Sequence, residues 1–169
     1  MMTLEEGRQL LAREGLPFDE LHYENENAYW ADACPWTLTG QGRNCPVTVL
    51  RAAAPNGVRH LELQFAQDRL EDLYFGGFGF ELWEAEDLEA ALLEDIRLIT
   101  GGKSWACIKM DAKTKSWRGD GWFPREEGSD SMEKALEKLR RPRTWRERLF
   151  RTRRLYEVYD WNEYHRIER

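Results

Sequence analysis

The stretch Leu73 to Ile99, LYFGGFGFELWEAEDLEAALLEDIRLI, constrains the fold most, because the strongest strand pattern of the chain runs directly into its strongest helix pattern. Leu73 and Phe75 share one strand face and Phe78, Phe80 and Leu82 continue it, but the parity changes from odd to even across Gly76-Gly77. Side chains alternate faces along a strand. Two glycines at a change of phase therefore mark either a bulge in one long strand or the turn of a tight hairpin with Phe75 opposite Phe78. Both options put Phe75, Phe78 and Phe80 on one side. Glu86-Asp87 then supplies an N-cap and negative charge at the positive end of a helix dipole; Leu88, Ala91, Leu92, Ile96 and Ile99 recur at helical spacing, and Gly101-Gly102 ends the helix. A strand and a helix with one apolar face each are expected to pack on one another as core.

The flanking segments supply more of both kinds. Thr3 with Glu6 forms a capping box for a helix bearing Leu4, Leu10 and Leu11, which stops at Gly15 before Pro17. Phe18 to Ala33 reads as two short strands around a turn at Asn25-Glu26-Asn27, and Pro35 to Pro46 as an irregular loop. Val47 to Ala53, Pro55-Asn56-Gly57 and Val58 to Ala66 form a hairpin in which Leu61, Leu63 and Phe65 face the core and His60, Glu62 and Gln64 face water. Asp68-Arg69 turns the chain into the central stretch. Beyond it come a hairpin of Ser104 to Met110 with Ser116 to Phe123, and a helix capped by Ser131 that carries Met132, Ala135, Leu136 and Leu139. A helix opened by Pro142 with Trp145 and Leu149 follows, then a last strand from Leu155 to Tyr164. The resulting expectation is a single α+β domain over residues 1–169, a mostly antiparallel sheet covered by helices.

No segment is long and apolar enough to span a membrane and the amino terminus has no signal-peptide pattern, which predicts a cytoplasmic protein without membrane contact. Cys34, Cys45 and Cys107 are odd in number, which favours free buried thiols over a bridge between Cys34 and Cys45. The net charge of −6 conceals an asymmetry: residues 1–99 hold 19 acids and 7 bases, a balance of −12, and residues 100–169 hold 12 acids and 18 bases, a balance of +6. Such a split steers a charged partner to one side or is neutralised internally.

Motifs for chemistry are missing. His22, His60 and His165 have no second His or Cys at ligand spacing, so no metal and no cofactor are expected. The glycines of Gly76-Gly77-Phe78-Gly79 are followed by Phe80 and Glu81 rather than a helix start and a base, so they relieve strand sterics instead of cradling phosphate. Cys107 lies mid-strand, where a thiolate is poorly stabilised. Two charged surfaces stand out. The first, between Asp68 and Asp95, offers Asp68, Glu71, Asp72, Glu81, Glu84, Glu86 and Asp87 with Tyr74 and Trp83 as exposed aromatic anchors, a surface suited to a basic protein. The second holds nine bases, Lys138, Arg140, Arg141, Arg143, Arg146, Arg148, Arg151, Arg153 and Arg154, against the single acid Glu147. It is either a phosphate-binding face for nucleic acid or a solvated, internally paired one.

The succession YFGG (Tyr74 to Gly77), FELWE (Phe80 to Glu84), an acidic amphipathic helix, a glycine pair and a Trp-containing hairpin resembles the small immunity proteins that accompany bacterial polymorphic or contact-dependent toxins, over Leu61 to Phe123. The resemblance implies a cytoplasmic, non-catalytic protein that neutralises a cognate toxin by binding it; it carries over no residue roles. The expected function is thus a protein-binding inhibitor with a basic toxin as partner. The alternatives are a nucleic-acid or phosphate-binding module built on residues 138–154, and an enzyme assembled from scattered carboxylates and His60.

Overall fold

Helix α1 (Leu4–Arg13) starts where the capping box places it: Thr3 Oγ1 accepts the Glu6 N–H at 3.3 Å and Glu6 Oε2 accepts the Thr3 N–H at 2.7 Å. It belongs to a computed structural model that describes residues 2–33, 42–80, 86–125, 131–140 and 153–169. The chain forms two compact units, Met1–Thr100 and Gly101–Arg169.

In the first unit, strands β1 (Asp19–Tyr23), β2 (Val47–Ala53), β3 (His60–Ala66), β4 (Arg69–Phe75) and β5 (Phe78–Phe80) form an antiparallel meander in sequence order. The glycine pair is the hairpin turn: Gly76 and Gly77 take φ of 58° and 96°, and Phe75 pairs with Phe78. Asp87 caps helix α3 (Leu88–Thr100), its Oδ1 accepting the Ala90 N–H at 3.1 Å. One sheet face buries Leu50, Leu61, Leu63, Phe65, Leu73 and Phe75 completely, and α1 lies on it so closely that a Cβ at Gly7 would fall 2.5 Å from Phe65 Cζ. Arg97 bridges from α3 to Glu14 at 2.9 Å, and Arg13 bridges from α1 to Glu89 at 2.7 Å.

Two expectations about this unit need correction. Residues 26–33 are not a strand but helix α2 (Glu26–Ala33). The Asn-Glu-Asn run is its start rather than a turn: Asn25 Oδ1 accepts the Ala28 N–H at 2.9 Å, the Asn25 carbonyl accepts the Tyr29 N–H at 3.3 Å, and Glu26 lies in the first turn. The second correction follows from the first. The face of β3 expected to be wet is covered, with Tyr29 packing on Val47 and Val49, and both Glu62 and Gln64 buried.

In the second unit, β6 (Ser104–Asp111), β7 (Trp117–Pro124), β8 (Arg154–Tyr159) and β9 (Tyr164–Glu168) form an antiparallel sheet in the order β7-β6-β8-β9. Helix α4 (Ser131–Arg140) packs Ala135, Leu136 and Leu139 against Trp105, Cys107, Tyr156 and Val158. The expected single strand from Leu155 to Tyr164 is two strands joined at Asp160. The Asp160 Oδ1 accepts the N–H groups of Asn162 and Glu163, both at 2.7 Å, a side-chain-made turn that strand alternation alone does not reveal. The helix expected after Pro142 lies outside the described residues.

The architecture is α+β, antiparallel sheets covered by helices, with two sheets in place of the one expected. The change in charge balance falls at the boundary between the units: Met1–Thr100 carries −12 and Gly101–Arg169 carries +6. Among the described residues no helix is long and apolar enough to cross a membrane.

Candidate functional site

Between α2 and the sheet of the first unit lies a layer of charge. Register places Arg51 of β2 opposite Glu62 of β3, on the face that also carries Val47 and Val49. Arg51 donates from Nε to Glu62 Oε1 at 2.5 Å and from Nη2 to Asp32 Oδ2 at 2.9 Å and to the Tyr23 hydroxyl at 3.2 Å. The Tyr23 hydroxyl donates to Asp32 Oδ2 at 2.6 Å, and Tyr29 donates to Glu62 Oε2 at 2.7 Å. The pKa directions agree with this wiring. Burial, reinforced by the bond to Asp32, pushes the Tyr23 hydroxyl up to about 12, and the donors Tyr23 and Arg51 hold Asp32 below the usual carboxylate range. Burial works against the charge of Arg51, but Glu62 and Asp32 outweigh it and raise its pKa.

A pocket of ≈ 310 Å³ opens beside this layer, lined by Asp32, Arg51, Arg59, His60, Glu62 and the Gly76-Gly77 turn, with Val58 at its wall. His60 Nδ1 is buried there without a hydrogen-bond partner among the described residues, and burial together with the Arg51 charge lowers its pKa, which favours the neutral ring.

A second cluster sits further along the same face. The ladder between β3 and β4 shifts at Gln64, leaving Glu71 as an extra residue next to Asp72. Glu71 accepts from Arg43 at 2.8 Å, and the same guanidinium reaches Glu26 of α2 at 2.7 Å. Burial raises Glu26, yet its bonds from Arg43 outweigh that and hold it low, whereas Asp72 is pushed up to about 6 by burial despite a bond from Tyr74.

The acidic residues expected to form one partner surface are therefore divided. Glu71, Asp72 and Tyr74 belong to the α2 side, and Tyr74 is not an exposed anchor: its ring stands edge-on to Trp30 at 5.0 Å and close to Tyr29 at 6.1 Å. Asp68, Glu86 and Asp87 collect near the starts of α1 and α3. Asp68 Oδ1 accepts the Leu4 N–H at 3.0 Å, while Glu86 and Asp87 share a hollow of ≈ 360 Å³ with Met2, Glu6, Leu88 and Glu89. Glu81, Trp83 and Glu84 lie outside the described residues. So do Arg141, Arg143, Arg146, Arg148 and Arg151 of the basic stretch. Of its described members, Arg154 pairs with Asp111 at 3.2 Å and Arg153 with Glu168 at 3.7 Å, and Arg140 lies near Tyr156.

Sequence reasoning missed Arg51, Asp32, Tyr23, Tyr29, Glu26 and Arg43. One signal was available for Arg51: the Pro55-Asn56-Gly57 turn fixes the hairpin register and puts this cation across from Glu62 on a common face. Among the described residues no group of three or more His, Cys, Asp or Glu side chains is placed to hold a metal ion, and Cys45 and Cys107 are free thiols, Cys34 lying outside the described residues. No family model, no curated protein and no solved structure matches the chain.

Proposed function

We propose that the protein is a non-catalytic, protein-binding inhibitor, in its specific form a cytoplasmic immunity protein that neutralises a cognate bacterial toxin by direct binding. The observation that carries the reading is the hollow at the amino ends of α1 and α3, where Glu6, Glu86, Asp87 and Glu89 converge in a unit of charge −12. Glu6 is occupied by the Thr3 capping box, Asp87 by its cap of α3 and Glu89 by Arg13, whereas Glu86 has no cation among the described residues. Such a rim attracts a basic partner, speeds encounter and accepts a lysine or arginine from it. Toxins that cleave nucleic acid are commonly basic because they hold phosphate, and an acidic protein seated over such a site blocks it without chemistry.

The test is a pull-down from the native organism's lysate with tagged wild-type protein and with the double variant Glu86→Lys, Glu89→Lys, at low and moderate salt. One stoichiometric protein retained by the wild type in moderate salt and lost with the variant supports the reading. Equal retention by both, or recovery of nucleic acid alone, overturns it.

A further inference from the structure

The pocket beside α2 holds hydrogen-bonding capacity that the charge network leaves unused. Glu62 and Asp32 are served by Arg51 and by the two tyrosine hydroxyls. Arg51 spends only Nε and Nη2 in doing so, and among the described residues its Nη1 bonds to nothing. Among the described residues His60 Nδ1 is buried with no partner, a condition that costs free energy unless a ligand relieves it. The Gly76-Gly77 turn forms part of the wall, so backbone without side chains leaves room for an occupant, and the Gly76 N–H is tied to the His60 carbonyl at 3.1 Å, joining that wall to the histidine.

We propose that this pocket binds a small oxyanion, the carboxylate or phosphate group of a small molecule, between Arg51 and His60. The carboxylates on the wall already accept hydrogen bonds; Arg51 Nη1 can only donate, and His60 Nδ1 donates once it carries a proton, so the capacity left over selects an acceptor. The balance of charge around His60 agrees. Arg51 from β2 and Arg59, the residue before β3, act on the ring as positive charges, partly offset by Glu62 on β3 and Asp32 on α2. A volume of ≈ 310 Å³ admits a phosphate ester or a small organic acid and is too small for a folded partner's surface. This site is separate from the acidic hollow, so the inhibitor reading and the oxyanion reading stand or fall independently.

A bound anion favours the imidazolium. The His60 pKa, low in the free protein, rises on binding; the gain in affinity is complete below the free-state pKa and is lost as pH rises through the bound-state pKa.

The experiment follows the His60 ring nitrogens by NMR in the full chain while inorganic phosphate, and in a second series acetate, is added at constant ionic strength. Expected is a saturable shift with half-saturation at about 1 mM or tighter in at least one series, with the His60 pKa higher at saturation than without anion. Saturation by phosphate alone assigns a phosphate ester; saturation by acetate as well assigns the carboxylate class. His60→Gln, read through the Arg51 side-chain resonance, is expected to weaken binding about tenfold. The absence of any saturable shift, or saturation that leaves the His60 pKa unmoved, overturns the proposal, and the wild-type titration decides even where the variant folds poorly.

Discussion

The Tyr29 hydroxyl donates to Glu62 Oε2 at 2.7 Å across the buried contact between α2 and β3, joining a helix absent from strand periodicity to a carboxylate that alternation assigns to water. The bond helps make a charged residue tolerable inside the first unit, since it shares with Arg51 the task of replacing the water that Glu62 has lost.

Tyr29→Phe keeps the ring contacts with Tyr23, Trp30 and Tyr74 and removes only the donor. Leaving one oxygen of a buried carboxylate unserved is expected to lower stability by about 2 kcal/mol, measured by urea denaturation. In a Glu62→Gln background the same change is expected to cost much less, because no buried charge is then stranded.

Gly7→Ala pits two effects against each other. Alanine is favoured over glycine inside a helix by about 1 kcal/mol. The new methyl would sit 2.5 Å from Phe65 Cζ and 3.4 Å from Leu50 Cδ1, and Phe65 is only 1% exposed, so its ring has no open side to move into. Overpacking of this kind costs about 1–3 kcal/mol, so the variant is expected to melt at a lower temperature, and adding Phe65→Leu is expected to restore much of the loss.

Asp72 sets a pH dependence. Its folded-state pKa of about 6 lies above the unfolded carboxylate value, so its contribution to stability is fully present below about pH 4 and is lost as pH rises through about 6. Asp72→Asn is expected to be more stable than the wild type by about 1–2 kcal/mol at pH 7.5, a figure reduced for partial exposure, and indistinguishable from it near pH 4. Denaturation midpoints at the two pH values test this, and a variant equally stabilised at both refutes it.

Cys107 is buried, and burial pushes its thiol up to about 12. Alkylation of the native protein at pH 8, read by peptide mass spectrometry, is expected to spare Cys107 until denaturant is added, since neither access nor thiolate is provided in the folded state. Rapid native modification would show that the strand opens locally.

Asp160 is 1% exposed and accepts from the N–H groups of Asn162 and Glu163 and from Nη1 of Arg125. Asp160→Ala removes the acceptor from the two turn N–H groups and from Arg125 Nη1, and is expected to cost about 3 kcal/mol in denaturation experiments. Asp160→Asn keeps an acceptor for the turn, and Arg125 keeps Glu163 at 2.8 Å, so its loss is expected to be clearly smaller.

Elements with a local signal were legible in the chain. The capping box of α1, the Asp87 cap of α3 and the hairpins β2-β3 and β6-β7 each rest on residues within a few positions of one another. The turn at Gly76-Gly77 was legible only as one of two options, and pairing of Phe75 with Phe78 decided between them. For the candidate site, the acids Asp68, Glu86 and Asp87 could be named from composition and are gathered at one end of the first unit, whereas the Arg51-Glu62-Asp32 network could not.

What the sequence determined by itself was the α+β class, most element boundaries and a charge balance that changes sign where the first unit ends, because periodicity, capping and formal charge are local or additive properties of residues. Tertiary structure decided which faces are wet. Alternation shows that Glu62 and Gln64 share a side of β3 but not what covers that side, and only the docking of Tyr29 on Val47 and Val49 buries them. It also decided which charges are available to a partner, since Glu71 and Arg154 are bound internally by cations and anions distant in the chain, and such pairings exist only once register and packing have brought the two side chains together.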